Sequence, residues 1–166
     1  MEPISDALAH NAAYAREHGI GHLPTEPQQH LAIVTCMDSR LDLFGALGLE
    51  LGQAHIIRNA GGIATDDVVR SLILSQRKLG TNRIMLIHHT HCGLHGLDED
   101  ALRTEIADET GQATDLRFGS FSDPASSVRA TAARLATEPA LGTIELRGFL
   151  FDVDTGLLDE VDLDEG

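Results

Sequence analysis

Short apolar runs alternate along this chain with longer segments in which apolar residues recur every three or four positions. The short runs are typical of strands, and the most continuous of them are typical of strands buried on both faces. They predict strands at 31–36, 54–60, 82–89 and 143–153. The periodic segments predict helices at 3–18, 41–51, 66–79 and 123–139. The stretch between the third strand and the last helix gives no clear pattern.

Strands that alternate with helices indicate an α/β protein with a largely parallel central sheet. Two polar clusters, CMDSR at 36–40 and HHTHCG at 88–93, stand at the ends of two predicted strands. In such sheets ligands bind beyond the carboxyl ends of the strands, so both clusters belong to one candidate site. The length of 166 residues fits a single domain over 1–166.

Composition and charge narrow the choice of partners. A formal net charge of −14 would repel nucleic acid or an anionic membrane surface, so we expect neither as a partner. The chain has no run of about 18 or more apolar residues and no secretory signal pattern at its start, which predicts a cytoplasmic protein. Seven acidic residues lie between Asp152 and Glu165, and we expect this segment, 152–166, to be a solvated end.

The chain has only two cysteines, Cys36 and Cys92, one in each polar cluster. Small buried hydrophobic residues are the ordinary alternative for free cysteines, and a disulfide is unexpected in a reducing compartment. Thiolate and imidazole are nevertheless the ligands that zinc prefers, and catalytic sites hold zinc with three protein groups plus water. Four histidines lie nearby: His88, His89, His91 and His95. Spacing does not choose among them, although the two-residue gap from His89 to Cys92 is familiar at zinc sites.

A carboxylate and a guanidinium follow Cys36 closely, as Asp38 and Arg40. Asp38 either takes a fourth position on the metal or stays beside a metal-bound water, where a bidentate ion pair with Arg40 would hold it. The alternative is an exposed ion pair with little energetic weight. Beside a candidate ligand we favour a catalytic role for both residues.

The segments CMDSR, RNAGG (58–62) and HTHCG, in this order, resemble the three signature segments of the β-class carbonic anhydrases, most closely the short bacterial and archaeal members. The resemblance covers most of the chain. It implies a sheet of four to five strands and one Zn²⁺ per chain, held by Cys36, His89 and Cys92. It also implies a homodimer, or a dimer of dimers, in which the N-terminal helix packs on the partner subunit.

The activity implied by the resemblance is the reversible hydration of carbon dioxide to bicarbonate by zinc-bound hydroxide, oriented by Asp38. When Asp38 is instead the fourth ligand, water is excluded and the enzyme is idle. One departure from the family pattern is His91, where many short members have Asp. It keeps open the hydrolysis of carbonyl sulfide or carbon disulfide at the same site. A non-catalytic zinc-binding domain with a closed four-ligand shell is a second alternative.

Overall fold

The fold comes from a computed structural model that describes residues 2–19 and 21–165. Its helices are α1 (Pro3–Glu17), α2 (Leu43–Leu47), α3 (Asp66–Leu79), α4 (Glu99–Thr110) and α5 (Pro124–Ala136). Its strands are β1 (Leu31–Cys36), β2 (Ala54–Asn59), β3 (Arg83–His89), β4 (Glu145–Phe151) and β5 (Leu158–Val161). A 3₁₀ turn, Ala60–Gly62, follows β2. No helix within the described ranges has both the length and the apolar content needed to cross a bilayer.

The strands form a five-stranded sheet in the order β2-β1-β3-β4-β5. All neighbours pair in parallel except β5, which runs antiparallel to β4 at one edge. The α/β class and the mostly parallel sheet of four to five strands are therefore confirmed. The register aligns Cys36 with Asn59 and Thr35 with Ile87. The carboxyl ends of β1, β2 and β3 consequently lie at the same edge of the sheet.

Alternation along β3 sends successive side chains to opposite faces of the sheet. On one face Leu86 packs in a cluster with residues of α3 and α5. On the other face Ile87 packs in a cluster that also contains Cys36 and Cys92. Because residues two apart on a strand share a face, His89 follows Ile87 onto the side of the sheet that carries both cysteines.

The helix ends follow local capping signals. The predicted bounds of α3 are confirmed, since the Thr65 hydroxyl caps its first turn and Gly80 ends it with a φ of 73°. The helix predicted at 41–51 is wrong in its extent, because α2 spans only Leu43–Leu47. Gly48 adopts a left-handed φ of 62° directly after it and closes the helix.

Two segments differ from the predictions made from the sequence. α4 occupies part of the stretch that gave no clear pattern, and none of its residues is buried. The acidic segment 152–166 is not merely a solvated end, because it contributes β5 to the sheet. Glu160 of β5 accepts two hydrogen bonds from Arg147 of β4, at 2.7 and 2.6 Å. This ion pair holds an acidic residue of the segment against the neighbouring strand of the sheet.

The N-terminal helix α1 buries none of its described residues. Three of its larger side chains, Ile4, Leu8 and Tyr14, are 77%, 66% and 52% exposed. Apolar side chains at helical spacing form a stripe that normally packs against another surface. In the part of the chain that the structure describes, no surface buries a residue of α1.

Candidate metal centre

Cys36, His89 and Cys92 converge at the carboxyl edge of the sheet. Cys36 is the last residue of β1, His89 is the last residue of β3, and Cys92 lies in the turn that follows. Their ligand atoms all lie within 4.8 Å of one another, and the two sulfurs are 4.0 Å apart. All three side chains are buried. The fold thus brings the predicted ligand set to one point from two neighbouring strands.

The ring of His89 is oriented for ligation. Its Nδ1 lies 2.8 Å from the Thr90 carbonyl oxygen, which requires a proton on Nδ1 and leaves the lone pair on Nε2. Nε2 is fully buried and has no hydrogen-bond partner among the described residues. An unpartnered buried nitrogen is costly, so an electron-pair acceptor such as a metal ion satisfies an otherwise unexplained group.

The two thiols titrate in opposite directions. Burial raises the pKa of Cys36, but the neighbouring His89 and the backbone N–H groups of Asp38 and Gly61 outweigh it and bring the pKa to about 7. The pKa of Cys92 is raised, first by burial and then also by the charge on Cys36. Two thiolates so close together need a cation, and metal ligation requires both to be deprotonated. The donor set therefore fits a bound metal ion.

Arg40 holds the Asp38 carboxylate in a bidentate ion pair. The Arg40 Nε donates to Asp38 Oδ1 at 2.9 Å, and Nη2 donates to Oδ2 at 2.7 Å. These hydrogen bonds hold the pKa of Asp38 far below its usual range, so it is a carboxylate at any physiological pH. Asp38 Oδ2 lies 3.9 Å from His89 Nε2, at the border of the cluster. Of the two arrangements considered from the sequence, the structure has the one in which Arg40 holds Asp38.

Arg58 fixes the turn that carries Asp38, a contact that sequence reasoning missed. Its guanidinium donates to three backbone carbonyls, those of Cys36 at 3.0 Å, Leu41 at 3.1 Å and Asp38 at 2.5 Å. The only signal in the sequence was membership of the RNAGG segment. The next residue, Asn59, brackets Ile63 by accepting from its N–H at 3.0 Å and donating to its carbonyl at 2.9 Å.

Gly62 approaches β1 so closely that no side chain fits. A Cβ at this position would lie 2.8 Å from the Thr35 carbonyl carbon and 2.9 Å from the Cys36 nitrogen, and its φ is +69°. From the sequence, the pair Gly61-Gly62 predicts that the backbone turns sharply or approaches something closely, with a plain turn as the alternative. The structure shows a close backbone approach that supports the strand residue bearing the first sulfur.

The other three histidines lie outside the cluster. His88 is buried, donates from Nε2 to the Gly62 carbonyl at 3.1 Å, and has its pKa lowered to about 4 by burial. His91 is 66% exposed, and its Nε2 lies 3.2 Å from Asp154 Oδ2. His95 contacts the Ser122 carbonyl at 3.0 Å. Strand alternation therefore selects His89, which spacing alone did not.

A cavity of about 310 Å³ opens onto the cluster. Its lining consists of the two cysteines, Asp38 and a set of mainly apolar or glycine residues, namely Met37, Ala60, Gly61, Gly93 and Leu94. Asp38 is the one charged residue among these lining residues. The cavity thus suits a small uncharged molecule placed against the cluster.

Known proteins are similar to this chain both in sequence and in structure. The model of the carbonic anhydrase family matches residues 31–118. A β-carbonic anhydrase 1 of Mycobacterium tuberculosis is 46% identical over 162 residues, which cover 97% of this chain and 99% of the relative. A carbon disulfide hydrolase of Acidithiobacillus thiooxidans is 30% identical over 151 residues, 78% of this chain and 76% of the relative. The crystal structure of a carbonic anhydrase from Streptococcus mutans superposes with a TM-score of 0.93 at 43% identity, covering 98% of this chain and 99% of that one.

Proposed function

This chain belongs to the β-class carbonic anhydrase family, and we propose that it catalyses the reversible hydration of carbon dioxide to bicarbonate. The observation that carries the proposal is the convergence of Cys36, His89 and Cys92 beside a carboxylate that Arg40 holds in place. Three protein donors with space beside them are the arrangement of catalytic rather than structural zinc sites.

We assign one Zn²⁺ per chain to Cys36, His89 and Cys92. Bound there, zinc would lower the pKa of water to near neutrality and so supply hydroxide to the reaction. The protein's part is to hold the donors in their ligating forms. The Thr90 carbonyl fixes the His89 tautomer, and the N–H groups of Asp38 and Gly61 stabilise the Cys36 thiolate. Soft thiolate donors also favour zinc over magnesium or calcium.

In this proposal Asp38 orients the attacking group. Because the pKa of Asp38 is held far below its usual range, the carboxylate is ionised near neutral pH and accepts a hydrogen bond there. Arg40 keeps it at the border of the cluster, and a second bond from Arg40 Nη2 to the His91 carbonyl, at 3.0 Å, anchors the guanidinium itself. If Arg40 released Asp38, the carboxylate could enter the cluster as a fourth donor and give the idle form.

Hydrolysis of carbon disulfide or carbonyl sulfide is a second candidate activity. It is favoured by the similarity to a carbon disulfide hydrolase and by the mainly apolar lining of the cavity, which is compatible with an uncharged sulfur compound. A non-catalytic zinc domain is less consistent with the geometry. A permanently closed shell would include Asp38, whereas Arg40 holds this carboxylate through two hydrogen bonds.

The assembly we propose is a homodimer, or a dimer of dimers, in which α1 packs on the partner subunit. The exposed apolar side chains of α1, which no other described residue of the chain buries, support it. We also propose a cytoplasmic location, where the two free thiols would be kept reduced.

One preparation of the full chain tests these proposals together. Its zinc content is measured, and the same sample is assayed for turnover of carbon dioxide, carbonyl sulfide and carbon disulfide. We expect one zinc per chain and rapid hydration of carbon dioxide. Zinc with turnover of only the sulfur compounds would favour the second candidate, and zinc without any turnover would favour the non-catalytic domain.

A further inference from the structure

A second cavity, of about 410 Å³, lies between α5 and the segment 119–123, away from the metal cluster. Its volume is within the range of small-molecule sites in proteins, about 300–1,000 Å³. Along α5 it is lined by Ser127, Thr131 and Arg134, and on its other sides by residues that include Ile63 and Phe121. None of these side chains belongs to the metal centre.

Two hydroxyl groups that line this cavity have no hydrogen-bond partner among the described residues. Ser127 and Thr131 are 8% and 4% exposed, and neither hydroxyl makes a hydrogen bond to another residue in the described part of the chain. Serine and threonine within helices commonly bond back to the carbonyl four residues earlier, as Thr104 and Thr110 of α4 do at 2.9 and 2.7 Å. Neither hydroxyl oxygen of Ser127 or Thr131 is fully buried, so both are open to the cavity and available to a molecule bound there.

A cation stands on the same face of α5. Arg134 is three residues beyond Thr131, and Ser127, Thr131 and Arg134 span about 10 Å of the helix. The guanidinium contacts Asp66 at 3.6 Å and Glu138 at 3.4 Å, both longer than a strong charge-assisted hydrogen bond of about 2.8 Å. Arg134 therefore retains donor capacity toward the cavity.

The other residues that line the cavity indicate which kind of ligand it would bind. Ile63, Ala64, Phe121 and Ala130 present apolar surface, which a bare inorganic anion would leave uncovered. The acid at the far end, Asp123, is already engaged in capping α5, where it accepts from the Ser126 N–H at 2.7 Å. The cavity thus combines a guanidinium that has N–H groups to donate, two hydroxyls open to the cavity and an apolar wall.

We propose that this cavity binds a small organic carboxylate. Its carboxylate group bonds to the Arg134 guanidinium, its other polar atoms bond to the hydroxyls of Ser127 and Thr131, and its apolar part packs against Ile63 and Phe121. None of the residues that line this cavity is one of the three candidate metal ligands, so the proposal does not rest on the zinc-dependent activity.

Benzoate and its neutral analogue benzamide test the proposal on the zinc-loaded full chain. The Ile63 side chain is a local reporter, since its Cδ1 approaches within 2.4 Å of the point where a Cβ on Gly119 would lie, and both residues line the cavity. With ¹³C-labelled isoleucine δ-methyl groups, benzoate should shift the Ile63 signal saturably, with a dissociation constant on the order of 1 mM. The Ile84 methyl, near the start of β3, should not shift, and benzamide should bind at least about tenfold more weakly.

Substitutions on α5 separate this site from binding elsewhere. Arg134→Gln should weaken benzoate binding by about tenfold or more. Thr131→Val, made separately, should weaken it by about threefold. The matched control is Arg70→Gln, which alters an exposed arginine of α3 that pairs with Asp67 outside the cavity. The proposal would be overturned if benzoate caused no saturable shift of the Ile63 signal, or if Arg134→Gln left that shift unchanged. The melting temperature of each variant verifies that the variant is folded.

Discussion

Replacing Gly62 by alanine would place a methyl group against the backbone that carries Cys36. The added Cβ would lie 2.8 and 2.9 Å from backbone atoms of Thr35 and Cys36, which belong to a central strand and cannot rotate away. The left-handed φ of +69° adds a conformational cost of about 1–2 kcal/mol for a residue with a side chain. Overpacking in a well-packed interior costs about 1–3 kcal/mol more. We therefore expect Gly62→Ala to lower the free energy of unfolding by about 2–5 kcal/mol.

Gly156→Ala is the matched control for this prediction. Gly156 has a similar φ of +76°, but a Cβ there meets no atom within 4 Å. It should lose only the conformational part, about 1–2 kcal/mol. Urea-induced unfolding followed by circular dichroism measures both variants, and titration with a competing chelator measures their zinc affinity. Only Gly62→Ala should weaken zinc binding, because it displaces a ligand residue. Equal losses of stability in the two variants would refute the argument from close approach.

Two further predictions concern residues that support the site from a distance. Arg58→Lys should lower zinc affinity about tenfold, because a lysine ammonium cannot bond to three carbonyls of the 36–41 turn at once. Competition with a chelator measures the zinc affinity, and an unchanged affinity would contradict the prediction. Glu99 accepts hydrogen bonds from the N–H groups of Phe118, Gly119 and Ser120, which lower its pKa from 4.5 to about 2. The stability that the ionised Glu99 contributes is complete above pH 4.5 and is lost as the pH falls toward 2. In this interval the melting temperature of Glu99→Gln should therefore depend less on pH than that of the unmodified protein. Parallel curves of melting temperature against pH would show the prediction to be wrong.

The sequence predicted those parts of the fold whose information is local. The strands were visible because buried parallel strands are apolar on both faces, and α3 was visible because Thr65 and Gly80 cap it. α4 was missed because none of its residues is fully buried and its larger apolar side chains, Leu102 and Ile106, are too few to give a clear helical pattern. β5 was missed because its acidic residues looked solvated, while their partner Arg147 lies in another strand.

The candidate site, like the fold, could be predicted from the sequence only where the information is local. The identities of Cys36 and Cys92 and the ends of their segments followed from the sequence, but the choice of His89 over His88 needed the face of the strand as well. The hold of Arg58 on three carbonyls and the approach of Gly62 to β1 join segments distant in the chain. Such contacts leave no periodic pattern, so only the folded chain reveals them.

The most direct test of the account is stopped-flow hydration of carbon dioxide, from neutral to alkaline pH, by protein of known zinc content, compared with Asp38→Asn. The unmodified protein should hold one zinc per chain and hydrate carbon dioxide faster toward alkaline pH. Asp38→Asn should keep its zinc and lose about 100-fold in turnover, because the orienting carboxylate is gone. One zinc per chain without carbon dioxide hydration at any pH, or full activity in Asp38→Asn, would contradict the account.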